Sequence, residues 1–416
     1  MVATEGGALG LYISIPFCRS KCVYCNFASG VYPASVQALY VDRLVEDLAS
    51  ARAWAERMGV ELPRRVNSVY LGGGTPSLLA PEQMKLLFAA MRAEFDLDLN
   101  AEITVECAPG QLSAETLEAL AAVGMNRASL GVQAFIDREA QVSGRRHSRA
   151  VALAEIQRLR EAGISNLNVD LIAGLAGQTL ASWEESLAVL AGSGVPHASV
   201  YMFEVDEDSR LGREVLAHGA RYSAGLVPTD DAVARMYEVA IERLAQAGVK
   251  QYEISNFCRP GMESRHNRRY WQRRPYLGVG LDASSMLVGA PGPDSRTWKA
   301  SVLRSTTTCE MKAFLAGGEP AETTWLIPEQ QHEEAWFLGL RLNEGVEVAA
   351  VEREFGLAMA APALKVVRRL AEDGLVNFDP QRVRLTARGR LLSNEVFQEF
   401  LGLAAEDGES GQRTQR

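Results

Sequence analysis

Short β-branched runs alternate with amphipathic stretches rich in Ala, Leu, Glu and Arg through the first half of the chain, and this alternation restricts the fold more than any other feature. The strand-like segments are Leu11–Ile15, Ser68–Leu71, Ile103–Glu106, Ala128–Val132, Asn168–Ile172 and Ser199–Phe203. Between them the spacing predicts helices over Ser35–Trp54, Glu82–Glu94, Ala114–Val123, Ala150–Glu161 and Trp183–Leu190. Gly124, Gly163 and Gly248 stand where helices give way to strands, and glycine tolerates the left-handed conformation that closes a helix. Strand–helix units repeated in this way imply a parallel sheet with right-handed crossovers. Six units fit a closed or partial β/α barrel better than a two-sided open sheet.

The second half is less regular. Residues 205–310, with Arg273, Arg274, Pro275, Pro291 and Pro293, read as the end of the barrel and its loops. From about Ile327 three helical patterns (Glu329–Leu342, Val348–Phe355, Ala363–Glu372) precede Gly374 and the alternating stretch Arg382–Thr386. That order resembles a small winged-helix-like α+β domain. The expected organisation is a barrel over 1–310, a C-terminal domain over 311–405 and a polar, flexible tail over 406–416; a chain of 416 residues can bury both cores.

A formal net charge of −9 argues against non-specific nucleic-acid binding, which needs a basic face. Lys365, Arg368 and Arg369 read as a solvated basic face, so nucleic acid is not an expected partner. No apolar run reaches bilayer-spanning length, and Met1–Gly10 lacks the pattern of a secretory signal; the expected compartment is the cytoplasm. Six cysteines in so long a chain do not make a disulfide scaffold, and three of them crowd into eight residues. In a reducing compartment such crowding points to metal or redox chemistry.

Those three are Cys18, Cys22 and Cys25, in Ile15-Pro16-Phe17-Cys18-Arg19-Ser20-Lys21-Cys22-Val23-Tyr24-Cys25-Asn26-Phe27 directly after the first strand. A loop there lies on the face of a β/α barrel where active sites assemble. Three thiolates at C-x3-C-x2-C spacing suit three corners of a cubane iron–sulfur cluster. Zinc is the alternative, but it usually takes four ligands in paired spacings, and no fourth is near.

The motif, with an aromatic before its last cysteine, resembles the signature of the radical S-adenosylmethionine (SAM) superfamily. The resemblance implies a [4Fe-4S] cluster on Cys18, Cys22 and Cys25 whose fourth iron is chelated by SAM, and an electron donor for the cluster. Gly72-Gly73-Gly74-Thr75-Pro76-Ser77 follows the second strand and resembles the superfamily's methionine-binding glycine motif, although an ordinary tight turn explains such a run equally well. Glu106, Gln133 and Asp170 end the next three strands, and Arg145 follows Gln133. They look like the SAM contacts of the coproporphyrinogen oxidase-like subfamily; by the same likeness Tyr12 and Tyr24 line the cofactor pocket. A lone acid at a strand end is often only a cap or ion-pair partner.

Within that subfamily, oxygen-independent coproporphyrinogen III oxidases carry a further cysteine two residues after the third. HemW-type heme chaperones have phenylalanine there and a later His-Asn-x-x-Tyr-Trp motif. This chain has Phe27 and His266-Asn267-Arg268-Arg269-Tyr270-Trp271, so the resemblance favours a chaperone that binds heme and delivers it to acceptor proteins; a radical enzyme acting on a porphyrin is the alternative. Residues His266, Asn267, Tyr270 and Trp271 become heme-binding candidates: an imidazole as axial ligand, aromatic rings against the macrocycle, and Arg265, Arg268, Arg269, Arg273 and Arg274 toward the propionates. Cys258 is a thiolate alternative to His266. Two departures stand out: Ser14 where these families usually have histidine, and Gly278–Ser285 in place of a stretch that usually ends Gly-Ala-His.

Overall fold

The computed structural model describes residues 7–290, 301–317 and 320–403; Pro291, Pro293 and the expected tail 406–416 lie outside the described residues. Six strands, β1 (Leu9–Ile15), β2 (Arg65–Gly73), β3 (Asp96–Cys107), β4 (Arg127–Gln133), β5 (Asn166–Ala173) and β6 (His197–Met202), lie side by side in chain order, each parallel to the next. They include almost all of the strand segments expected from the alternation. Parallel strands need helical crossovers, and the helices Ala34–Met58, Pro81–Glu94, Ala114–Ala122, Arg149–Glu161 and Leu180–Ser193 supply them. Gly124, Gly163 and Gly248 all take positive φ, as helix-closing glycines do.

The sheet continues at both ends. Beyond β6 come β8 (Asn256–Cys258) and β7 (Lys250–Gln251), and on the other side of β1 come β9 (Tyr276–Val279), β10 (Ser284–Val288), β11 (Val302–Thr306) and β12 (Glu322–Leu326). Its ends do not pair with one another, so the sheet is a partial barrel. The expected boundary at residue 310 falls inside it, because β12 pairs antiparallel with β11. Strands β1 and β4 are buried on both faces, since helices cover the outside and side chains fill the concave side.

A second core gathers Trp336, Val351, Phe355, Val367, Leu370, Val383 and Phe400 around the helices Pro328–Gly339, Val348–Phe355 and Leu357–Glu372. Against them lies a three-stranded sheet of β13 (Val346–Glu347), β15 (Arg382–Leu385) and β14 (Val376–Asp379). This C-terminal unit is tied to the barrel at the segment that follows β8: Arg273 bonds Glu354 at 3.0 Å, and the Arg341 guanidinium sits 4.1 Å from the Trp271 ring centroid.

Candidate functional site

The cysteine loop leaves β1 at the C-terminal edge of the sheet and is pinned at its base. The Cys18 amide donates to Gly30 O at 2.9 Å, and the Gly30 amide donates to Pro16 O at 2.8 Å. Halfway round, the Val23 amide donates to Ser143 O at 3.1 Å and Val23 O accepts from the Leu211 amide at 2.8 Å. Cys18, Cys22 and Cys25 are all half-buried free thiols. Burial pushes the Cys18 thiol pKa up, opposed by the hydroxyls of Thr75 and Ser29. Among the described residues, no three Cys, His, Asp or Glu side chains converge tightly enough to hold a single metal ion.

Beside the loop lies a cavity of roughly 350 Å³ on the concave side of the sheet. Its walls include the three cysteines, Tyr24, Gly73, Gly74, Thr75, Glu106, Gln133, Arg145, Asp170 and Asn267. Strand geometry explains the convergence: polar residues at the C-terminal ends of β2 to β5 point to the same concave face, where burial would otherwise select apolar side chains.

The glycines are required by close approach. A Cβ on Gly74 would sit 2.8 Å from the carbonyl oxygens of Ile15 and Phe17. The Gly74 and Thr75 amides donate to those same carbonyls at 2.9 and 2.7 Å, which locks the glycine loop to the root of the cysteine loop. Gly73, at φ +98°, turns its amide onto Glu106 Oε2 at 3.2 Å. The other carboxylate oxygen accepts from the Tyr70 hydroxyl at 2.8 Å. Burial, reinforced by the nearby Asp170 charge, lifts the Glu106 pKa to about 7 against the pull of these hydrogen bonds and Arg145.

Gln133 follows a break in the β4–β5 register and has φ 69°, an uncommon backbone for a non-glycine residue. Its Oε1 is buried without a hydrogen-bond partner. Arg145 donates to the Tyr24 hydroxyl at 3.0 Å and packs so close to β4 that a Cβ on Gly131 would lie 2.8 Å from its Nη2. Asp170 accepts from Asn168 Nδ2 at 2.7 Å and from the Ser129 hydroxyl at 3.1 Å. Burial raises its pKa, and these partners oppose the rise.

Tyr12 stands behind this wall, its ring stacked on Tyr70 at 6.1 Å. The later motif divides. Asn267 reaches the cavity, whereas His266 is fully buried, with Nδ1 3.0 Å from the Ser68 hydroxyl and Nε2 2.8 Å from the Tyr270 hydroxyl. Burial, with Arg269 and Arg127 adding to it, drops its pKa to about 3, so the ring is neutral and fully engaged. In this arrangement neither ring nitrogen is open to an incoming metal: each is taken by a hydroxyl, of Ser68 or of Tyr270. Nor do the expected aromatic covers face the cavity. Tyr270 packs edge-on against Tyr276 at 4.7 Å, and Trp271 lies under Arg341. Three of the arginines expected at propionates are also engaged: Arg268 with Glu344, Arg269 with Ala8 O and Pro275 O, and Arg273 with Glu354. Cys258 is buried in β8, its thiol pushed up to about 12 by burial.

The two departures from the family pattern meet. Tyr40 donates to Ser14 O at 2.8 Å and accepts from the Leu281 amide at 2.7 Å. A Cβ on Gly280 would lie 2.6 Å from Ser14 O. Tyr70, Arg127, Ser129, Asn168, Ser199 and Tyr201 also line the cavity and were not singled out from sequence. Strand alternation could have found several of them: Arg127 and Ser129 share the parity of Gln133, and Asn168 that of Asp170.

Comparison with known proteins agrees with this architecture. Residues 12–190 match the Radical SAM superfamily, and residues 326–392 match the HemN C-terminal domain. The structure of coproporphyrinogen III oxidase (HemN) from Escherichia coli, a radical SAM enzyme, superimposes with a TM-score of 0.79 at 25% identity, over 96% of this chain and 91% of that one. The fold is that of a radical SAM protein with a HemN-type C-terminal unit. The heme chaperone HemW of Lactococcus lactis is 32% identical over 94% of this chain and 96% of its own length. That of Mycobacterium tuberculosis is 34% identical over 95% of this chain and 96% of its own. The chain belongs to the HemW family within the radical SAM superfamily.

Proposed function

We propose that this protein binds heme and passes it to acceptor proteins, with a [4Fe-4S] cluster on Cys18, Cys22 and Cys25 and an exchangeable SAM in the adjoining cavity. The observation that carries the reading is the gathering of the three cysteines, the glycine loop, Glu106, Gln133, Arg145 and Asp170 around one cavity, in a chain whose relatives are named heme chaperones.

The residues present fit these groups. A cubane spreads three thiolate ligands over three irons, so it does not need sulfurs that converge on one ion. When bound, cluster and SAM would supply one-electron chemistry. The chain's own part is to hold and orient. Gly73 and Gly74 let a ligand approach the backbone, and Arg145 offers charged donors to a carboxylate. Glu106 and Asp170 offer acceptors to ribose hydroxyls. The unpartnered Gln133 Oε1 offers an acceptor to an amino group such as that of adenine, which would satisfy a buried polar atom. Reduction of the cluster requires an electron donor, a further partner beside the heme acceptor.

The name carried by the relatives favours this reading over a porphyrin-modifying enzyme, as does Phe27 in place of a fourth cysteine. We also assign the protein to the cytoplasm; no helix among the described residues is long and apolar enough to cross a membrane. The test is anaerobic reconstitution of the cluster followed by titration with heme and, separately, incubation with coproporphyrinogen III and reductant. The reading expects saturable heme binding and no decarboxylated product. Turnover of coproporphyrinogen III without heme binding would replace it with the oxidase reading.

A further inference from the structure

The floor of the cavity carries a charge that the cofactor reading leaves unused. Arg127, the first residue of β4, is only 1% exposed yet lines the cavity. It forms no ion pair among the described residues, and its Nε has no hydrogen-bond partner. A buried guanidinium is costly to desolvate, and proteins ordinarily offset that cost with a carboxylate or a bound anion. Thr104, its register neighbour on β3, likewise has a buried hydroxyl without a partner.

The surrounding groups do not supply the counter-charge by contact. Asp170, an acid lining the cavity on β5, has its burial-raised pKa pulled back in part by the Arg127 charge, but its carboxylate is hydrogen-bonded to Ser129 and Asn168 rather than to Arg127. His197 and His266 are buried and neutral, each with its pKa depressed first by burial and further by Arg127. Arg127 lies six residues back along β4 from Gln133, about 20 Å at the rise of a parallel strand, so it marks the end of the cavity away from the cysteine loop. Asn267 reaches the same cavity from the helix Arg265–Trp271, which is anchored by Glu102 accepting from the Arg265 and His266 amides at 3.0 and 3.1 Å.

We infer that Arg127 and Asn267 form a carboxylate-binding subsite at the inner end of the cavity, taking a heme propionate. A guanidinium presents paired N–H donors that match a carboxylate, and an amide adds one more. In this arrangement His266 is a positioning residue, fixing the helix to Ser68 on β2 with Asn267 on the cavity wall. The inference rests on the heme and SAM reading above, and assigns to the His-Asn-x-x-Tyr-Trp motif a role in holding a ligand's acid group rather than its iron.

The test compares cluster-reconstituted wild type with Arg127→Gln and Arg127→Lys in titrations with heme, heme dimethyl ester and SAM. For a heme propionate, Arg127→Gln binds heme ~10- to 100-fold more weakly, Arg127→Lys less so, and the ester binds all three proteins alike, with SAM affinity unchanged. A loss confined to SAM affinity, with heme affinity unchanged, would overturn the propionate subsite. Heme and SAM binding to a folded Arg127→Gln variant at wild-type strength would overturn the subsite while leaving the chaperone reading intact. Wild type that binds neither ligand would sink the chaperone reading and remove the subsite's ligands with it. Should Arg127→Gln not fold, the same titrations of Arg127→Lys decide: wild-type affinity for heme and SAM, with heme and its dimethyl ester bound alike, overturns the subsite.

Discussion

His266 and Ser68 are 198 residues apart in sequence, yet the imidazole Nδ1 lies 3.0 Å from the serine hydroxyl in the fully buried interior of the barrel. That contact, with the 2.8 Å bond from Nε2 to Tyr270, fastens the helix Arg265–Trp271 to β2. A histidine so placed stabilises the fold and sets its neighbour's direction.

His266→Ala should therefore destabilise the protein by about 3 kcal/mol, because it removes buried volume and leaves two buried hydroxyls unpaired. His266→Gln keeps hydrogen-bonding capacity and should recover part of that loss. Denaturant unfolding measures both. Heme absorption of the glutamine variant should match wild type in shape; a shifted Soret band would mean that the imidazole reaches the iron after all.

Neutral burial of His266 also shapes the acid limb of stability. Its folded-state pKa of about 3 lies below the usual histidine value, so the unfolded chain binds the extra proton first as pH falls. The contribution is present above about pH 6.5 and is lost progressively toward pH 3. His266→Gln should flatten that part of the stability–pH curve, read from urea midpoints across the range.

Glu106 acts with the opposite sign. Its pKa of about 7 exceeds the ordinary glutamate value, so the folded state holds the proton longer than the unfolded chain does. Stability conferred below about pH 4.5 falls as pH rises through 7, by about 3 kcal/mol. Glu106→Gln should remove this dependence in the cofactor-free protein. The same change should weaken SAM binding about tenfold if the carboxylate accepts a ligand hydroxyl. Thermal unfolding and SAM titration check the two effects separately.

Gly74→Ala would press a methyl group against the carbonyls of Ile15 and Phe17, both backbone atoms with no freedom to swing away. Separation of the glycine loop from the cysteine loop is expected, costing about 2 kcal/mol of stability and lowering both iron incorporation and SAM affinity. Iron content after reconstitution and a SAM titration report it. Unchanged values would show that the two loops are not mechanically coupled.

The strand–helix alternation made the parallel core legible because its signal is local: β-branched runs, amphipathic periods and helix-closing glycines such as Gly163 each act within a few residues. The cavity-lining residues at the ends of β2 to β5 were readable for a related reason, since strand ends in such a sheet share one rim. The fate of the His-Asn-x-x-Tyr-Trp motif was not. Which of its residues faces a ligand depends on the rotation of the helix against Ser68, Glu102 and Arg341, all brought in from distant parts of the chain. Arg127 escaped notice because one arginine at a strand start carries no motif; only its lack of a partner inside the fold marks it. The reach of the large sheet past residue 310 was hidden in the same way, since β12 depends on pairing with β11 for its place.

The most direct test of the central claim is heme transfer. Wild-type protein, reconstituted anaerobically and loaded with heme, would be mixed with an apo-hemoprotein while the acceptor's visible spectrum is recorded. The account predicts holo-acceptor formation faster than from free heme at the same concentration, with no change to the porphyrin itself. A chain that takes up no heme, or binds it and never releases it to the acceptor, would contradict it.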